Sequence, residues 1–119
     1  MAKDAVLIGW GAAAGGREKL ALQVFNEGVQ YWTRLRDQGE IDSFDPVALE
    51  PHGGDMSGFC LIRGDQEKLD RLRHSAEWIR LNTRATMVVD NFGVVGAYVG
   101  EDLQRLFGVF GEVAAERGG

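Results

Sequence analysis

Residues 41–64, IDSFDPVALEPHGGDMSGFCLIRG, decide how the rest of the chain is laid out. Two strand-like runs flank a turn containing Gly53 and Gly54. The first run, 41–50, carries Pro46, which has no N–H to give to a ladder and so belongs at a sheet edge. The second, Phe59-Cys60-Leu61-Ile62, has no polar alternation, the mark of a strand covered on both faces. An edge strand joined to an interior strand is therefore predicted.

Toward the amino terminus, residues 5–10 form a second doubly apolar run, which predicts another central strand. It leads into Gly9, Gly11, Gly15 and Gly16, a loose turn that releases the chain into a helix beginning near Arg17. Over 17–38, Leu20, Val24, Gly28, Tyr31 and Leu35 share one helical stripe, widened by Ala21, Phe25 and Trp32. Gly39 stands where a left-handed residue would end that helix, and Arg34 and Arg36 suit the negative end of its dipole. A glycine inside a helix costs about 1 kcal/mol against alanine, so Gly28 predicts close approach of the helix to the sheet.

Toward the carboxyl terminus, Asp65 can cap a helix over 66–81 with a core stripe of Leu69, Leu72, Ala76 and Ile79. His74, Trp78 and Leu81 fall on a different face. Residues 86–99 read as a long strand through Met87, Val88, Val89, Phe92, Val94 and Val95, interrupted by Asp90 and Asn91. Glu101 and Asp102 then open a last helix that presents Leu103, Leu106, Phe107, Phe110 and Val113 on one side.

The totals narrow the field. A chain of 119 residues suits one domain, 1–119, and no repeat, linker or low-complexity tract divides it. With 45% hydrophobic and 26% charged residues, neither disorder nor a membrane protein is expected. The longest apolar runs, 5–8 and 92–99, fall far below the eighteen or so residues of a spanning helix. No signal peptide is evident, and Cys60 is the single cysteine, so a reducing, cytoplasmic setting is expected. The net charge of −5 argues against nucleic-acid binding, which gains from a basic face.

The order strand, helix, strand, strand, helix, strand, helix is an α+β, ferredoxin-like βαββαβ pattern with an added C-terminal helix. Placing the four strands in the antiparallel order four, one, three, two puts both doubly apolar strands in the middle and the proline strand at an edge. Two helices cover only one face of such a sheet. The apolar side chains on the other face predict either the last helix folded back over it or, preferably, a second copy in a face-to-face twofold homodimer.

In this pattern the chain resembles the dimeric α/β-barrel superfamily, whose ferredoxin-like subunits pair through their sheets. The segment HSAEWIRL, 74–81, is similar to the second-helix region of small members related to the antibiotic-biosynthesis monooxygenases and the EthD-like and YCII-like proteins. The resemblance implies a small-ligand cavity. It carries no catalytic signature, and its members span cofactor-free oxygenases, isomerases, haem-degrading enzymes and proteins without known activity.

Chemistry-bearing residues gather at one end of the predicted sheet. The glycine turn, the hairpin tip at 51–55 and residues 80–84 should meet there, bringing Trp10, Arg17, His52, Arg80 and Arg84 near the positive start of the first helix. A carboxylate or phosphate group could be held at such a place; the preferred reading is that the same arginines pair with Glu18, Glu50 or Glu77 and do nothing else. His52 is the first candidate acid or base, oriented by Glu50 or Asp55. Asp90, if it points toward the helices, would be a buried carboxylate of raised pKa and a candidate base; a bulge or a polar contact across a dimer explains it equally well. Trp10, Trp32 and Trp78 are candidate pocket walls. A dinucleotide fingerprint is disfavoured because an edge strand follows the first helix. No metal-ligand spacing or nucleophile elbow occurs, so no cofactor or metal is expected. Two functions follow as expectations: a homodimer that binds a small organic ligand without catalysis, or a cofactor-independent monooxygenase or isomerase for a hydrophobic or aromatic small molecule.

Overall fold

The two doubly apolar runs take the middle of the sheet. A computed structural model describes residues 3–118, and of Lys3 only the backbone; residues 1, 2 and 119 of the expected domain lie outside them. In chain order come β1 (Lys3–Trp10), α1 (Glu18–Asp37), β2 (Ser43–Ala48), β3 (Gly58–Asp65), α2 (Gln66–Arg73), α3 (Ala76–Thr86), β4 (Gly93–Ala97) and α4 (Gly100–Glu116). The strands form one antiparallel sheet in the order β2-β3-β1-β4, the ferredoxin-like order expected. Pro46 lies on the edge strand β2, opposite Cys60.

Register fixes which side chains meet. Leu7 of β1 stands opposite Leu61 of β3 and Val95 of β4. Alternation then sends Val6, Ile8, Cys60 and Ile62 to the other face, where they form the core with Tyr31, Trp32 and Leu35 of α1, Leu69 of α2 and Trp78 and Leu81 of α3. Complete burial of one such aliphatic side chain contributes roughly 1.5–3 kcal/mol. Leu7, Phe59, Leu61 and Val95 face away from the helices, and Val95 is 56% exposed.

α1 ends as its sequence predicts. Gly39 has φ of 76°, and the Glu40 N–H donates to the Leu35 carbonyl at 2.8 Å. α1 is tied to α3 by two surface ion pairs, Arg34 with Glu77 and Arg84 with Glu27.

Three expectations need correction. The helix predicted over 66–81 is two helices, because Ser75 caps a new one: its Oγ accepts from the Trp78 N–H at 3.3 Å and donates to the Leu72 carbonyl at 2.7 Å. That break re-phases the inner face, so Trp78 and Leu81 are buried while Ile79 is 52% exposed. The strand predicted over 86–99 is shorter, since α3 runs to Thr86 and β4 begins only at Gly93. Gly28 makes room for the Trp32 ring of its own helix and not for the sheet. Of the two covers expected for the open sheet face, the less preferred, the last helix folded back over it, is not formed, for α4 buries none of its residues.

Candidate functional site

A cavity of about 390 Å³ lies between the sheet and the helices α1 and α3, at the end where β1 finishes. Its size falls within the range of small-molecule sites. Ile8 and Trp10 form its sheet side, Val24, Phe25 and Trp32 come from α1, and Leu81, Asn82 and Ala85 come from α3. Val88, Val89 and Phe92 close it from the segment before β4.

That segment is pinned to the glycine turn. The Gly11 N–H donates to the Asp90 carbonyl at 2.7 Å, the Asp90 N–H donates to the Ala12 carbonyl at 2.8 Å, and the Ala14 N–H donates to the Val88 carbonyl at 2.8 Å. Gly11 is required by this crossing, for a Cβ there would stand 2.7 Å from the Asp90 carbonyl oxygen and 2.9 Å from that of Asp55. The glycine turn, the hairpin tip and the approach to β4 therefore do meet at one end. Of these glycines Gly11 serves the close chain crossing, whereas Gly15 and Gly16 stand in open space.

The chemistry of the lining is uniform. Its polar side chains are Ser57, Asn82 and the indoles of Trp10 and Trp32, and among the described residues no carboxylate, imidazole, guanidinium, ammonium, phenol or thiol lines it. Trp10 packs edge-on against Phe25, with ring centroids 5.8 Å apart. Trp32 packs against Phe44 at 6.0 Å. Its indole N–H is buried without a hydrogen-bond partner, a desolvation cost of about 1–3 kcal/mol.

Of the residues singled out in the sequence, Trp10 and Trp32 line this cavity. The others are placed elsewhere. Arg17 donates to the Met87 carbonyl at 2.6 Å and ties the start of α1 to the end of α3. Arg84 places Nε and Nη2 on Glu27 Oε2, at 3.1 and 2.7 Å, and Arg80 is on the exposed side of α3. Trp78 is buried edge-on against Tyr31, centroids 6.4 Å apart, and walls the two helices together outside the cavity. Arg17 and Arg84 are thus engaged by a carbonyl and a carboxylate from neighbouring helices, and none of the three arginines lines the cavity.

His52 is exposed at the hairpin tip, where Nε2 donates to the Met56 carbonyl at 2.9 Å and Nδ1 accepts from the Gly54 N–H at 3.3 Å. Both ring nitrogens serve the turn. Asp90 is exposed in the turn before β4, so the expected buried carboxylate is not formed; the helical extension of α3 removes the strand that would have aimed it inward. His74 closes α2, with Nδ1 2.7 Å from the Asp70 carbonyl. Cys60 is fully buried, and burial pushes its thiol up to about 12, leaving it protonated and unreactive at neutral pH. Among the described residues no cluster of histidine, cysteine or carboxylate side chains could hold a metal ion, and no helix is long and apolar enough to cross a membrane.

Sequence reasoning missed Ser57, Asn82 and Phe92 as lining residues and placed Val24 and Phe25 simply in the core. The usable signal was the small residues Ala12, Ala13, Ala21, Gly28 and Ala85, which line the space and leave it unfilled.

No protein-family model matches the chain, and no curated protein does. Solved structures do. The chain is similar to a dimeric ferredoxin-like protein of unknown function from Jannaschia sp. CCS1, with a TM-score of 0.64 at 13% identity over 82% of this chain and 100% of that one. It is similar to an EthD family protein from Bacillus halodurans C-125, with a TM-score of 0.58 at 11% identity over 82% and 99% of the two chains. It is also similar to a mutant of SnoaB, a cofactor-independent oxygenase from Streptomyces nogalater, with a TM-score of 0.57 at 14% identity over 83% and 97%. The fold is ferredoxin-like. These are the kinds of protein the sequence pattern resembled, and at such identities the likeness establishes the fold alone.

Proposed function

We propose that this ferredoxin-like protein binds a small, uncharged, largely apolar organic ligand in the cavity between its sheet and helices. The observation that carries this reading is a cavity of about 390 Å³ whose lining, among the described residues, holds no ionisable side chain. An anion or cation entering it would lose its hydration without meeting a counter-charge, a cost of several kcal/mol. A neutral ligand with an apolar body avoids that cost. Trp10, Phe25, Trp32 and Phe92 offer it flat surfaces, and Ser57 and Asn82 offer hydrogen bonds for orientation. Oxygenase or isomerase chemistry by proton abstraction is not supported, because His52 and Asp90 lie outside the lining.

The test is titration with N-phenyl-1-naphthylamine, a neutral probe that brightens in apolar surroundings, beside its anionic sulfonate analogue. Saturable binding of the neutral probe at micromolar concentration, lost when Ala85→Phe fills the cavity, is the expected result. Binding of the anion alone, or neutral binding untouched by Ala85→Phe, would refute the reading.

The same chain is proposed to act as a homodimer through its open sheet face. Its accessible surface is 7870 Å². A compact monomer of 13.1 kDa exposes about 6,400 Å². The excess of about 1,500 Å² exceeds the roughly 800 Å² that each partner buries in an interface of standard size. The apolar residues Leu7, Phe59, Leu61 and Val95 occupy that face. Sedimentation equilibrium checks the dimer, and Val95→Lys should dissociate it.

A further inference from the structure

We propose, resting on the homodimer reading, that α4 is a docking arm whose ridge of Leu103, Phe107, Phe110 and Val113 packs on a second copy of this chain. These residues recur every three or four positions and so share one side of the helix. Phe107 and Phe110 are 60% and 61% exposed, Val113 is 44% exposed, and no residue of α4 is buried. The two phenyl rings already lie together, centroids 6.4 Å apart. Beside this ridge, and sharing its arc at Leu106, Asp102, Arg105, Leu106 and Val109 border a depression shared with Asp4, Gln66 and Tyr98 of the same chain.

The occupant is argued from size and charge. The radius of gyration is 16.5 Å, against about 13.5 Å for a compact chain of this length. The long axis reaches 53 Å. An extended body that exposes more surface than a monomer of its mass should is a body shaped for a partner. The open sheet face, apolar at Leu7, Phe59, Leu61 and Val95 and carrying Asp45 and Arg63 among them, and the α4 ridge are both exposed, so twofold pairing of one chain with itself can cover the two at once. A membrane surface fits less well: α4 carries Glu101, Asp102, Glu112 and Glu116 against the single base Arg105, the reverse of the basic polar face that anionic lipids attract.

The experiment is sedimentation equilibrium of the full chain, the double variant Phe107→Lys/Phe110→Lys and the Val95→Lys variant, with far-UV circular dichroism on each. The α4 double variant is expected to keep its helix content while its dissociation constant rises by about 100-fold, as loss of two aromatic anchors from an interface does. Hydrogen exchange of the unaltered chain adds a readout that needs no variant: protection of the α4 amides should rise with protein concentration across the monomer-dimer transition. A dimer broken by Val95→Lys but untouched by the α4 double variant would overturn this inference and leave the sheet-face dimer standing. A monomeric parent chain at all micromolar concentrations would overturn both. Phosphatidylglycerol vesicles that retain the parent chain but release the double variant would overturn it by assigning the ridge to lipid.

Discussion

The indole of Trp32 folds back over Gly28, one turn earlier on α1, so closely that a Cβ at residue 28 would stand 3.0 Å from its Cη2 and 3.2 Å from its Cζ2. Gly28→Ala sets two effects against each other. Alanine gains about 1 kcal/mol of helix propensity, but the ring must yield inside a packed wall, which costs about 1–3 kcal/mol. Steric conflict should win, lowering the melting temperature and changing the near-UV circular dichroism of the indole. A melting temperature raised by the substitution would show that the ring moves freely into the cavity.

Filling the cavity should stabilise the protein while abolishing probe binding. Ala85→Leu adds three carbons to a half-buried wall, worth about 0.8 kcal/mol for each methylene buried. Thermal unfolding is expected to shift upward and the affinity for N-phenyl-1-naphthylamine to fall at least about tenfold, a loss of 1.4 kcal/mol or more.

His52→Ala and Asp90→Asn should leave that affinity within about twofold, since both side chains are exposed and a surface change away from packing is worth under about 0.5 kcal/mol. A tenfold loss in either variant would place the ligand across the hairpin tip instead of inside the cavity.

Alkaline pH should destabilise the fold through two buried acids. Burial raises Tyr31 above its ordinary 10.0, with a Ser75 hydrogen bond acting in the opposite direction, and raises Cys60 from 9.0 to about 12. In the unfolded chain both groups ionise earlier, so above pH 9 the unfolded state binds fewer protons than the folded one and stability falls as pH rises. The Cys60 contribution is fully present below about pH 9 and lost as pH rises through about 12, on the order of 4 kcal/mol. Urea unfolding across this interval checks it, and Cys60→Ala should flatten the slope.

Ser75→Ala removes the cap that separates α2 from α3. A cost of about 1 kcal/mol is expected, read as a lower urea midpoint with an unchanged slope.

The strand order was legible because Pro46, the run 59–62 and the run 5–10 each state a burial requirement that a single arrangement satisfies. The helix break was legible only as Ser75, a cap residue that the continuous apolar count overrode. Met87, Val88 and Val89 were misread because their side chains favour strands, whereas Val88 reaches the core from a turn after α3 and is 5% exposed. The site was harder still. Trp10 and Trp32 could be named because large side chains announce themselves, but a cavity is volume that Ala21, Gly28 and Ala85 decline to occupy, and its extent depends on how far the backbones stand apart. For the arginines the kind of partner was legible and its identity was not: Arg84 pairs with Glu27 and Arg17 with the Met87 carbonyl, groups that come from another helix.

The cavity opens where β1 ends, while α4 borders Asp4, where β1 begins. Ligand uptake and self-association, as proposed, use opposite faces of the sheet, with Trp10 bordering both. Their linkage free energy should be close to zero: dilution to monomer would not discharge the ligand, and saturation with ligand would not alter the population of dimer. Such a protein would hold its cargo with equal grip at any abundance, and any coupling observed between the two equilibria would have to pass through the strand itself.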